Sequence, residues 1–173
     1  MPAIYLRSAQ QQDMAAILQI IHEAKVFLKA AGNPQWQDGH PNQDYIQADI
    51  DQHNGYVLMH NYQVVGYSAL VFAPDPSYAH LKNGTWQNAD APYAVIHRTA
   101  ISAQYRGQKL SKFLFSNLLS LGIAQKYHNF RIDTHAVNQP MQHLIADFGF
   151  QKRGQVLVTD KIDPLRDAFE LNL

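Results

Sequence analysis

Gln104-Tyr105-Arg106-Gly107-Gln108-Lys109, preceded by Thr99-Ala100-Ile101 and followed by Leu110-Ser111-Lys112-Phe113, is the stretch on which the fold of this chain turns. The run Tyr93–Ser102 is apolar and β-branched, which suits a strand. Leu110, Phe113, Leu114, Leu118 and Leu121 recur at helical spacing and predict a helix ending around Tyr127. A strand that turns directly into a helix through a glycine presents free backbone N–H groups at the helix start. With the positive end of the helix dipole, those donors make an anion site that a pyrophosphate fits. The dipole contributes only roughly 0.3–1 kcal/mol per charge, so several N–H contacts must act together. The chain has neither the P-loop pattern nor Gly-x-Gly-x-x-Gly, so no ordinary nucleotide motif explains the loop.

Upstream of this turn, Ala3–Arg7 reads as a short strand, and Ser8-Ala9-Gln10-Gln11 has the spacing of a capping box. Met14, Ile17, Leu18, Ile21 and Leu28 mark a first helix, stopped at Gly32-Asn33-Pro34. Tyr45, Ile46, Asp49 and Ile50 predict a second helix that ends near Asn54-Gly55. Tyr56–His60 and Val64–Phe72 read as a hairpin turning at Asn61-Tyr62. The segment from Ala73 to Pro92 has no periodicity, and a connection that long is more often functional or mobile than idle. Downstream, Phe130–His135 predicts a strand. Asn138 and Pro140 open a helix with Met141, Leu144, Ile145 and Phe148 on its apolar face, and Gly149 ends it. Phe150–Thr159 and Ala168–Leu173 are the last strands. Residues 1–173 therefore read as a single α+β domain.

Composition excludes several function classes. Fourteen Lys and Arg balance fourteen Asp and Glu, so no broad basic field exists to hold a nucleic acid. With no cysteine there is no disulfide, thiolate metal site or cysteine nucleophile. Met1–Arg7 lacks the basic and long apolar regions of a signal peptide, and no apolar run approaches a membrane span. A cytoplasmic protein without a membrane partner is expected. His22-Glu23 is followed by Val26 where a zinc-binding helix needs His, and no metal site is expected.

The order of elements, together with three motifs, resembles the GNAT superfamily of acetyl-CoA-dependent N-acetyltransferases. Gln104 and Gly107 match that family's pyrophosphate-loop pattern, although Lys109 stands where a small residue closes it. Thr99-Ala100-Ile101 lies where the family's central strand splays. Asn138 followed after ten residues by Gly149-Phe150 matches a third family segment. The resemblance implies a mixed, mainly antiparallel sheet flanked by about four helices in three layers. It implies acetyl-CoA as cosubstrate, an amine acceptor, and coenzyme A held by Thr99, Ala100, Ile101, Gln104, Tyr105, Arg106, Gly107, Gln108, Lys109, Leu110, Ser111 and Asn138. It further implies that the backbone N–H of Ile101 steadies the charge developing on the thioester oxygen. One such donor is worth on the order of 3–4 kcal/mol.

Other residues carry two readings each. Strand alternation puts His97, Thr99 and Ile101 on one face and Arg98 on the other, which makes His97 a candidate general base or else a half-buried sheet histidine. Asn138 suits a helix cap and, by the resemblance, also a coenzyme A contact. Trp36 and Tyr45 would wall the acceptor pocket or close the core. Asp133 and His135 would line that pocket or serve structural hydrogen bonds. Tyr78 and Trp86 suit a lid or a partner contact. Many family members carry an acidic tyrosine seven residues after the Asn; here Ile145 stands there. That absence leaves a non-catalytic coenzyme-A-binding sensor or interaction domain as the alternative to an enzyme. A homodimer is left open.

Overall fold

The protein, described over residues 1–173 by a computed structural model, is a seven-stranded sheet covered by helices on both faces. In chain order the elements are β1 (Ile4–Ser8), α1 (Met14–Ala30), α2 (Gln43–Asp51), β2 (Gly55–His60), β3 (Gln63–Val71), β4 (Ala94–Ile101), α3 (Leu110–Ala124), β5 (Asn129–Thr134), α4 (Gln139–Asp147), β6 (Gln151–Leu157) and β7 (Leu165–Asn172). The strands lie in the order β1-β2-β3-β4-β5-β7-β6. All pairs are antiparallel except β4 with β5, the pair that a crossover through α3 must make parallel.

Each helix lies where its apolar stripe finds the sheet. Ile17, Ile20 and Ile21 of α1 and Ile46 of α2 pack on Val57, Met59, Tyr67 and Ala100. Leu110, Leu114, Phe115 and Leu118 of α3, with Leu144 and Ile145 of α4, pack on the opposite face against Leu58, Val65, Ile96 and Ile132. The three-layer α+β expectation holds. No helix is long and apolar enough to cross a membrane.

Most expected boundaries hold within two or three residues, and three local features differ. The cap is not at Ser8, which ends β1; instead a short 3-10 turn at Gln11–Asp13 leads into α1, and its Asp13 carboxylate accepts from the Gln10 N–H at 2.8 Å and is gripped by both Arg7 Nη nitrogens at 2.7 and 2.8 Å. Arg7 comes from the strand, so spacing within the first helix could not reveal this cap. The passage from β4 to α3 is not direct, because a short 3-10 turn at Ala103–Tyr105 precedes Gly107. The third difference is a bulge in β4. Tyr67 pairs with Ala100 but Ala69 pairs with His97, so Arg98 and Thr99 together oppose Ser68. Arg98 takes φ of 55° to make the extra step.

Candidate active site

The bulge corrects the expected alternation. Ile96 and Ile101, five residues apart, both pack with α3, while Ala100 packs with α1. His97, Thr99 and Ile101 therefore do not share one face, and Arg98 does not point away from His97's side of the sheet. Arg98 reaches α2, where its Nε and Nη2 donate to the Asp49 carboxylate at 2.8 and 2.5 Å. A periodicity of two cannot register one extra residue, so the strand sequence alone could not locate this reversal.

β4 and β5 pair only at Ala94–Phe130 and Val95–Arg131 and then part. The Ser102 N–H bonds to Val65 O at 2.8 Å, so alternation along the antiparallel ladder turns the N–H of Ile101 away from β3, toward the gap left by β5. A cleft of about 790 Å³ runs through this gap. At one end lies the start of α3, where the backbone N–H groups of Gly107, Lys109, Leu110 and Ser111 have no partner within the protein. Gly107 takes φ of +81°, and a Cβ there would meet nothing within 4 Å. Lys109 takes φ of 60° and ψ of 19°, the left-handed conformation that glycine adopts without strain. The loop is steadied from α1: the Glu23 carboxylate accepts from the Ala103 N–H at 2.6 Å, and Arg106 lies 4.7 Å over the Phe27 ring. Burial pushes the Glu23 carboxyl up, but that N–H bond and its polar neighbours outweigh it and hold the group below its usual range.

Asn138 caps α4 through a 3.4 Å bond from the Met141 N–H, while Gly149 at φ of +80° closes the helix and Phe150 turns back into the core. Its Nδ2 donates to the buried Gln35 Oε1, which also accepts from Thr134 Oγ1 and the His135 N–H. Gln35 thus ties the α1–α2 connection to the end of β5. Sequence reading passed over it because a glutamine in a loop carries no periodic signal.

At the other end of the cleft, His97 Nε2 lies 3.0 Å from the Asp75 carboxylate. Burial pushes the Asp75 carboxyl up, but the His97 hydrogen bond and charge and the Ser77 N–H outweigh it, leaving the group below its usual range. When the imidazole is neutral, an ionised Asp75 accepts from Nε2–H, which leaves the lone pair on Nδ1. Tyr78, fully buried, donates to Asp133 at 2.7 Å. Burial drives that tyrosine far above its ordinary range and raises Asp133 as well. Asp75 and Tyr78 both belong to segment 73–92, which is pinned to the sheet. The buried Arg131 guanidinium lies 4.1 and 3.8 Å from the centres of the Trp86 and Tyr93 rings, and Arg131 pairs with Glu170 at 3.3 Å.

Trp36, Tyr45, His97, Asp133 and Asn138 all line the cleft. The stretches 99–101, 105–107 and 109–111 line it too. Gln104 lines a separate small depression between α1 and β3, and the Gln108 side chain is exposed. His135 does not line the cleft and pairs with Asp163 at 2.9 Å, so it and Asp133 take different partners. Ile145 is fully buried beneath α3.

Residues 15–150 match the model of the acetyltransferase (GNAT) family. The chain belongs to that family. Among solved structures, a GNAT family acetyltransferase from Streptococcus agalactiae 2603 is similar, with 29% identity over 98% of this chain and 95% of that one and a TM-score of 0.88. A GNAT acetyltransferase from Listeria monocytogenes 4b F2365 is 20% identical over 98% of this chain and 95% of that one, with a TM-score of 0.74. An acetyltransferase from Salmonella typhimurium, solved with its cofactor acetyl-CoA, is 18% identical over 99% and 94%, with a TM-score of 0.68. The last two bear on the fold alone. Comparison with curated protein sequences gives no match. The splayed strand pair and the glycine-bearing loop both lie within the matched residues.

Proposed function

We propose that the protein transfers an acetyl group from acetyl-CoA to a primary amine of a small molecule or protein, with His97 as general base and Asp75 as the group that orients it. The observation that carries this reading is one cleft with four unpaired backbone N–H groups at one end and a carboxylate-held imidazole at the other. Acetyl-CoA fits those donors: its pyrophosphate would take the N–H groups of Gly107, Lys109, Leu110 and Ser111, and the open space above Gly107 admits a phosphate. When bound, it supplies the activated acyl group. Lys109 adds a positive charge beside the same anion.

The chain's own residues would do the rest. His97 Nδ1 takes the proton from the incoming ammonium, directly or through a water, because only a neutral amine attacks a carbonyl. Asp75 keeps Nε2 protonated and steadies the imidazolium that results. The Ile101 N–H, turned into the gap, would donate to the carbonyl oxygen as charge builds on it. The carbon–sulfur bond then breaks, and the proton taken from the amine reaches the departing sulfur through water, so that coenzyme A leaves as the thiol. The β4–β5 gap aligns acyl group and amine, which lowers the barrier by orientation. Ile145 has no proton to give, and its burial favours a second reading: a domain that binds coenzyme A without turnover.

An assay of thiol release across a broad amine panel separates the two. Turnover that falls roughly 100-fold in His97→Ala at neutral pH and recovers toward alkaline pH, where the amine deprotonates unaided, is the expected result. Acetyl-CoA binding with no thiol release from any amine would instead establish the sensor.

A further inference from the structure

Arg98 is a cleft cation with an unused donor beside His97. Its Nε and Nη2 are occupied by Asp49, while Nη1 makes no hydrogen bond within the protein and is not among its enclosed polar atoms. The residue lines the cleft beside His97, with its guanidinium 5.9 Å from the centre of the Tyr45 ring. Its side chain is 17% exposed and Asp49 6%, so the pair is mostly withdrawn from water. The Tyr67 hydroxyl also donates to Asp49 at 2.5 Å, which braces the carboxylate against rotation. Such bracing fixes the fork of the guanidinium, so its free edge is aimed before any ligand arrives.

The carboxylates of the cleft are already engaged. Asp75 holds His97, Asp133 accepts from Tyr78, and Asp38 holds His40 at 3.2 Å. Asp160 pairs with Arg166 at 2.6 Å, and the remaining Arg166 contacts are main-chain carbonyls. Arg106 and Lys109 belong to the α3 end. The bulge is what brings Arg98 to this side, at the cost of a left-handed backbone in a residue that has a Cβ. On successive residues β4 therefore presents a proton-accepting imidazole backed by a carboxylate, and then a cation with a free edge.

We infer that the acceptor is a primary amine that also carries a carboxylate, and that Arg98 Nη1 binds that carboxylate while His97 faces the amine. The inference rests on the transferase reading above and narrows its substrate class. A zwitterion suits the pair of charges, whereas a polyamine would leave Arg98 facing a second cation.

The test uses the whole chain, acetyl-CoA, and matched acceptors: α-, β- and ω-amino acids, the same compounds as carboxamides, and the decarboxylated amines. The expected result is kcat/KM roughly 10- to 100-fold higher for the carboxylates, the scale of one charge-assisted hydrogen bond. That preference should collapse toward unity in Arg98→Gly, which keeps the left-handed step. Because Arg98→Gly leaves Asp49 without its cation, Arg98→Gly/Asp49→Asn is measured beside it, and its preference should collapse as well. Equal or better turnover of decarboxylated amines by the unaltered protein, or a carboxylate preference that survives in a folded Arg98 variant, would overturn the inference and leave the transferase standing. No turnover of any amine sinks both.

Discussion

Of the three left-handed residues with a Cβ that line the cleft, Lys109 and Arg98 stand at its two ends, and each has a different reason to be there. Lys109 makes the turn into α3 in a conformation that costs an L-residue roughly 1–2 kcal/mol relative to glycine. Lys109→Gly should therefore raise stability by about 1 kcal/mol once the entropy of the unfolded glycine is offset, measured by denaturant unfolding. The same change removes a charge beside the proposed pyrophosphate, so affinity for coenzyme A should fall even as stability rises, and more steeply at low salt. Gly107→Asp places a carboxylate over the four donors and should abolish binding of acetyl-CoA in calorimetry; unchanged affinity would remove the pyrophosphate from this loop.

Among elements, the turn that leads into α1 depends on a carboxylate shared with a strand. Asp13 is held below its ordinary range chiefly by its hydrogen bonds to Arg7, helped by the Gln10 N–H and opposed by burial. A depressed folded pKa means that this stabilisation is fully present above the unfolded value near 4 and is lost as pH falls through the folded one. Asp13→Asn should lower stability by about 1 kcal/mol at pH 7, with the gap to the unaltered protein closing below about pH 4. A gap that stays constant across that range would mean that the charge of Asp13 is immaterial. The α3–β5 contact is set differently: a Cβ on Gly122 would meet the Phe130 ring, itself fully buried. Gly122→Ala should cost about 1–3 kcal/mol by overpacking, and Phe130→Leu in the same chain should return part of it.

For the whole molecule, the decisive event is the parting of β4 and β5, which opens a cleft between helices that otherwise close both faces of the sheet. A ligand that fills it binds the folded state alone, so acetyl-CoA at a hundredfold excess over Kd should stabilise the protein by about 2.7 kcal/mol. Amide exchange should slow most at residues 105–111 and 99–102, where the unpaired donors lie. The elements and their order were legible because amphipathic spacing, Asn138, Gly149 and Gly107 are local signals: each acts within one turn or one strand. The sequence by itself determined the helices, the hairpin, the glycine-bearing turn into α3 and the membership of Trp36, Tyr45, His97 and Asp133 in a list of polar and aromatic candidates. Only the tertiary structure decided their roles, since Asp75 is 22 residues from His97 and Arg98 is 49 from Asp49, and chain spacing at that range says nothing about proximity. It also decided which way β4 faces after His97, because a single extra residue in one strand is visible only against the strand beside it.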